Sequence, residues 1–450
     1  MAQQMYGTFD SVDVAFDQNG ALVDPASVTA VKSLIASKGA TDLFVISHGW
    51  NNNIPEAQDL YERFFTHVHA QLATNPNGLN GRVFAVLAVL WPSKRFTDTS
   101  TIPGGAAGAD DVRADQIRAS LDNLADAFPG AAKSLQLAKA LVDSLEDSEA
   151  AQDRFVQILA GVMAPPQQPD AGMDDLHGAL AARSGSAVLQ DIKGTSVGPA
   201  PTPPAQDFDG GGAADMDDAG APPSDAGGAA SLGSFFATIK DAALGLCNVT
   251  TYYTMKERAG TIGRVGLNPV LHALAQAAPN LKIHLVGHSF GCRLVTAAAA
   301  GDIAVPIATL ALLQAAYSHY GFSNDYDGKG DAGFFRDVVA KHKVHGPIVI
   351  THTVQDVAVG LAYPIASRIA NQQANALGDA NDPFGGMGRN GAQKTPEVPN
   401  MNALLLPAGG NYTLVNGVPN NLNGDTIITG HGDIARDETA FVVLRAVAAT

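Results

Sequence analysis

The chain has 450 residues, 46% of them hydrophobic and 16% charged, which supplies a large buried core and excludes a highly charged disordered polymer. Its 28 Lys and Arg against 44 Asp and Glu leave a net charge of −16, without the basic surplus that a nucleic-acid or anionic-membrane surface needs. Two cysteines, Cys247 and Cys292, exclude a disulfide framework and a multi-cysteine zinc site.

The opening MAQQMYGTFDSVDV has neither the basic start nor the apolar stretch of a signal peptide. Leu294 to Tyr317 is broken by Gly301, Asp302 and Pro306, short of the roughly 20 uninterrupted apolar residues of a membrane span. A cytoplasmic protein without integral membrane association is therefore expected. Asp24 as N-cap and Pro25 at the first helical position predict a helix to about Lys38, ended by Gly39. Leu43 to Ser47 is a short apolar run with β-branched residues, a buried strand that feeds the loop His48-Gly49-Trp50-Asn51-Asn52-Asn53. Ile54 to Leu72 has helical spacing, with Leu60, Phe64, Phe65 and Val68 on one side, and His67 and His69 point to different sides. Val83 to Trp91 is a second buried strand, stopped by Pro92.

The composition then changes. Asp98 to Lys240 holds 21 acidic and 8 basic residues, a net of −13, so the rest of the chain is nearly neutral. Within it, Asp110 to Ala164 predicts two or three amphipathic helices, with Ile117, Leu121 and Leu124, then Leu135, Leu137, Leu141 and Leu145, then Phe155, Ile158, Leu159 and Met163 as the apolar positions. Gly194 to Gly233 is Pro, Gly, Ala and Asp with almost no large apolar residue, and predicts a flexible linker. After it come a helix at Asn268 to Ala278, a strand at Ile283 to Val286, a helix at Phe290 to Ala300, and strands at Ala308 to Gln314 and Ile348 to His352. Strands apolar on both faces, alternating with helices, predict an α/β fold with a mostly parallel sheet flanked by helices. The expected organisation is a discontinuous core, 1–96 plus 236–450, with an insertion at 97–235 that is helical over 110–192 and flexible over 194–233.

Gly287-His288-Ser289-Phe290-Gly291 matches G-x-S-x-G between a strand and a helix. That context places Ser289 on a tight turn with its hydroxyl exposed. Gly287 and Gly291 then avoid collision with the neighbouring elements, and the Phe290 N–H serves as one oxyanion donor. A second match, Gly194-Thr195-Ser196-Val197-Gly198, runs into PAPTPP, where no helix can follow, and is assigned to chance. Upstream, Gly49 lets the backbone approach a substrate, and the Trp50 N–H is the expected second oxyanion donor, with His48 supporting the loop.

With VISHGWNN, LVGHSFG and an acid and histidine following the serine, the chain resembles the α/β-hydrolase superfamily over about two-thirds of its length. The HGWNN form resembles a bacterial, esterase-like branch. The resemblance implies an α/β-hydrolase fold with an eight-stranded, mostly parallel sheet, acyl hydrolysis and neither metal nor cofactor. In that pattern the acid follows the next-but-one strand, which selects Asp356; Asp325, Asp327 and Asp331 are rivals in a polar loop where Asp is ordinary turn chemistry. His431, flanked by Gly430 and Gly432, is the only one of twelve histidines beyond His352 and is the expected base. Asp325 to Arg336 looks like a calcium loop, but Lys329 and Arg336 stand where carboxylates belong.

The expected function is hydrolysis of a small or polymeric carboxylic ester through Ser289, His431 and Asp356. The insertion, leaving the sheet at the strands' C-terminal ends, is expected to cap the site. Alternatives are a lipase, thioesterase or peptidase of the same fold, or a non-catalytic binding protein.

Overall fold

The computed structural model describes residues 4–74, 78–93, 109–163, 180, 182–193, 238–356, 380 and 385–450. Its centre is an eight-stranded sheet made of β1 (Gln4–Tyr6), β2 (Phe9–Ala15), β3 (Asp42–Ser47), β4 (Phe84–Leu90), β5 (Lys282–His288), β6 (Ile307–Leu313), β7 (Ile348–His352) and β8 (Pro419–Asn423). The spatial order is β1-β2-β4-β3-β5-β6-β7-β8; β1 runs antiparallel to β2, and every other pairing is parallel. Helices cover both faces, so the architecture is α/β with a mostly parallel sheet.

Alternation along the strands decides what each face carries. Leu43, Val45, Leu87, Val89, Ile283, Leu285, Leu310 and Leu312 point to one side. There they meet Val31, Leu34 and Ile35 of α1 (Ala26–Lys38) and the helices around the Ser289 turn. Phe44, Ile46, Val86, Ala88, Val286, Ala311 and Leu313 point to the other side, against Leu60, Tyr61, Phe64, Phe65 and Val68 of α2 (Ile54–Ala73). The last helix, Asp437–Ala448, covers that side as well, through Ala440, Val443, Leu444 and Val447. Strands buried on both faces must be apolar throughout, which is why these runs were legible.

The insertion contributes α3 (Ala109–Ala127), α4 (Ala132–Leu141), α5 (Glu149–Val162) and α6 (Gly185–Lys193). Ile117, Leu121, Leu124, Leu135, Leu145, Phe155, Ile158, Leu159 and Met163 are buried, whereas Leu137 is 56% exposed, because two residues along a helix from Leu135 lies near its opposite side. α4 packs on α3 and α5, and α3, α5 and α6 pack on α7 (Ile239–Thr261), an element that composition did not announce. It continues through a π-helical turn, Ile262–Leu267, into α8 (Asn268–Ala277). α7 in turn packs on α9 (Phe290–Ala300), and buried side chains run without a break from the insertion into one side of the sheet. The stretch 194–233, including Ser196, lies outside the described residues.

Several boundaries shift slightly. α1 begins at Ala26, with the Asp24 carboxylate accepting the Ala26 N–H at 2.9 Å. β4 stops before Trp91, and β6 before Gln314, whose φ of 47° turns the chain out of the ladder. In the calcium-like loop, Asp325 accepts the N–H groups of Gly328 and Gly330, and Asp327 accepts that of Lys329. Those carboxylates therefore make turns. Among the described residues, no cluster of His, Cys, Asp or Glu could hold a metal and no helix is long and apolar enough to cross a membrane.

Candidate active site

Parallel register brings the key loops together. Ser47 at the end of β3 lies beside Gly287 near the end of β5, so His48–Trp50 and His288–Phe290 leave the sheet side by side. Ser289 has φ 56° and ψ −123°, a left-handed backbone that a side-chain-bearing residue adopts only under constraint. The constraints are hydrogen bonds from its N–H to Leu313 O (3.2 Å) and to its carbonyl from Cys292 N (3.0 Å) and Ala316 N (3.2 Å).

The elbow glycines are needed for space. A Cβ at Gly291 would lie 2.1 Å from Ser47 O, and one at Gly287 would lie 2.5 Å from Cys292 N and Cα. A Cβ at Gly49 would lie 2.6 Å from Ser289 Cβ and 3.1 Å from its Oγ, so the Gly49 backbone is pressed directly against the serine.

Ser289 Oγ lies 2.7 Å from His431 Nε2, and His431 Nδ1 lies 2.9 and 3.0 Å from the two oxygens of Asp356. A carboxylate only accepts, so Nδ1 carries the ring proton and Nε2 is the acceptor for the serine hydroxyl. Asp356 follows β7 in a turn, with its N–H donated to Thr353 O, and is fully buried. His431 sits between β8 and the last helix, 142 residues from Ser289 in sequence. Asp325, Asp327 and Asp331 are not in this relay: the first two are used locally, and Asp331 donates its own N–H to Asp327.

The supporting histidines are buried and neutral. His48 Nε2 lies 3.3 Å from the Trp91 backbone N–H, which can only donate, so Nδ1 bears the proton and gives it to Gly49 O at 2.9 Å. Its ring stacks on Trp91 at 5.4 Å, and burial lowers its pKa to about 4. His288 donates Nε2–H to His431 O at 2.9 Å, holding the loop that carries the relay histidine. Its Nδ1 is buried and has no partner among the described residues. Burial, with the charge that His431 can carry beside it, lowers its pKa to about 3. Cys292 donates its thiol to Gly287 O at 3.0 Å beneath the turn, and burial raises its pKa.

Neither the Trp50 nor the Phe290 backbone N–H has an acceptor among the described residues. Phe290 opens α9, where the first N–H groups have no intrahelical partner. Beside them stands an aromatic wall: Tyr252 of α7 lies 4.8 Å from the Phe290 ring and 6.3 Å from Trp50. The helix that carries the insertion thus reaches the residue next to the serine.

Three groups near the site were not assigned from sequence. Asn52 donates Nδ2–H to Gly49 O (3.3 Å) and Trp50 O (3.0 Å). Ser93 accepts the Asn52 N–H through Oγ and the Asn51 N–H through its carbonyl. Tyr61 accepts the His48 N–H and donates to Val89 O. The Asn repeat after Trp50 was the available signal for the first; nothing local marks the other two. Compared with family models, curated proteins and solved structures, the chain matches none.

Proposed function

We propose that this chain is a serine hydrolase of the α/β-hydrolase fold that cleaves carboxylic esters. The observation that carries the reading is the unbroken relay from Asp356 through His431 to Ser289, with the serine on a left-handed turn at a helix N-terminus. The strand order, with the turn after β5 and the acid after β7, supports the fold assignment.

In the reaction, Ser289 Oγ attacks the ester carbonyl carbon as its proton passes to His431 Nε2. Asp356 holds the ring and stabilises the imidazolium. The carbonyl oxygen becomes an oxyanion and accepts the N–H groups of Trp50 and Phe290. The carbon–oxygen bond to the alcohol then breaks, and His431 returns the proton to the leaving alkoxide. Water repeats the sequence on the acyl-enzyme. The relay by itself performs acyl transfer; the ester is favoured by the superfamily resemblance. Tyr252, packed on Phe290 and Trp50, brings the insertion-bearing helix beside the two oxyanion donors.

The test is labelling with a fluorophosphonate, which needs no assumption about substrate. Wild-type protein should be labelled at Ser289 and should hydrolyse p-nitrophenyl acetate, and Ser289→Ala should do neither. Labelling that survives Ser289→Ala would overturn the assignment. A preference for long-chain emulsions, thioesters or peptides would move the reading to a lipase, thioesterase or peptidase.

A further inference from the structure

The direction of the Trp50 N–H is set by the carbonyl on the other side of the same peptide bond. In a trans peptide the C=O and N–H point in opposite directions. Gly49 O is held by two donors, His48 Nδ1–H at 2.9 Å and Asn52 Nδ2–H at 3.3 Å. The same Asn52 amide also donates to Trp50 O at 3.0 Å, so it bridges the carbonyls on both sides of Trp50. Only Nδ2 can do this, since the amide oxygen would face two acceptors. Asn52 is 4% exposed, and Ser93 fixes its backbone from both sides, accepting its N–H at 3.3 Å and donating Oγ–H to its carbonyl at 3.1 Å.

We propose that Asn52 is a positioning residue of the oxyanion hole: with His48 it clamps the Gly49–Trp50 peptide so that the Trp50 N–H faces the oxyanion formed on Ser289. It touches neither substrate nor the reacting atoms, and acts through the peptide it holds. The inference rests on the hydrolase reading above. A donor aimed before the substrate arrives favours the transition state over the ground state, because the oxyanion exists only there.

The experiment compares Asn52→Asp and Asn52→Ala with wild type and with Asn53→Ala. Asn53 is the neighbouring N-cap of α2, its Oδ1 accepting the Glu56 N–H at 2.8 Å, so its loss should lower Tm and leave kcat alone. Asn52→Asp keeps the shape and removes the donor. Both Asn52 variants should lose about 10- to 100-fold in kcat on p-nitrophenyl acetate, with KM within about threefold of wild type. Affinity for an aryl trifluoromethyl ketone, which adds to the serine and forms the oxyanion, should fall in parallel with kcat/KM. If both variants fail to fold, Asn52→Leu, which keeps the branched shape and removes the donor, is read in the same way. A folded Asn52 variant with unchanged kcat, or with unchanged ketone affinity, overturns the clamp. Wild-type protein that neither labels with fluorophosphonate nor hydrolyses ester overturns the hydrolase reading and the clamp with it; labelled wild type beside unaffected variants overturns the clamp alone.

Discussion

The contact between Gly49 and Ser289 makes Gly49→Ala the sharpest single-atom perturbation of the site. The added methyl would stand 2.6 Å from Ser289 Cβ, 3.1 Å from Oγ and 3.3 Å from His288 Nδ1. Carbon atoms pack at about 3.5–4.0 Å, so the loop must retreat by about 1 Å. The serine cannot give way, because its backbone is tied to Leu313, Cys292 and Ala316. A 1 Å misplacement costs on the order of 100-fold, and loss of an oxyanion donor about 100- to 1,000-fold, so we expect kcat/KM to fall by at least about 100-fold. The assay is steady-state hydrolysis of p-nitrophenyl acetate beside a thermal melt. Gly161→Ala is the control: a methyl there meets nothing within 4 Å, and α5 should gain about 0.5–1 kcal/mol with no change in rate. If Gly49→Ala melts like wild type and keeps kcat/KM within about threefold, the loop does not press on the nucleophile and the oxyanion assignment to Trp50 fails.

Asp356→Asn should cost about 10,000-fold in kcat, because an amide NH₂ facing Nδ1 favours the wrong ring tautomer; a mild effect, with a large one from Asp331→Asn, would mean the acid is elsewhere. Acid should destabilise the fold through His48 and His288, whose folded pKa values are about 4 and about 3 against 6.5 when free. The unfolded chain binds the extra protons first, so this stability is whole above pH 6.5 and is lost as pH falls toward 4 and then 3, by up to a few kcal/mol for each group. Urea melts between pH 7 and 4 would show no such loss if both rings are charged in the folded protein. Asp42 is a second, independent buried site: burial alone would raise its pKa, but bonds from His284, Arg82 and Thr41 overcome that and hold it well below the usual range. Asp42→Ala should cost about 3–5 kcal/mol by leaving Arg82 and His284 without their acceptor, read as a lowered urea midpoint; a loss below about 1 kcal/mol would mean the cluster relaxes.

The apolar runs of β3, β4, β5, β6 and β7 and the spacing of α2 and α9 could be read directly, because a strand buried on both faces or a helix buried on one writes that burial into neighbouring residues. The turn at Ser289 was legible for the same reason: its glycines answer to clashes within a few residues or with the adjacent strand. β8 was not legible, since Pro419-Asn420-Asn421-Leu422-Asn423 has no strand propensity and is held by its pairing with β7 and by Asn420 and Asn421 bonding to backbone at Val415, Val418 and Ala392. β1 and β2 at the opposite edge, and α7 beneath the insertion, likewise depend on partners far along the chain. The sequence by itself determined the local elements and nominated Ser289, Asp356 and His431. Only the tertiary structure decided that His431 stands between Ser289 and Asp356, and that Asn52 and His48 turn the Gly49 peptide. Those distances come from the order and register of parallel strands, which long-range packing sets and no local pattern encodes.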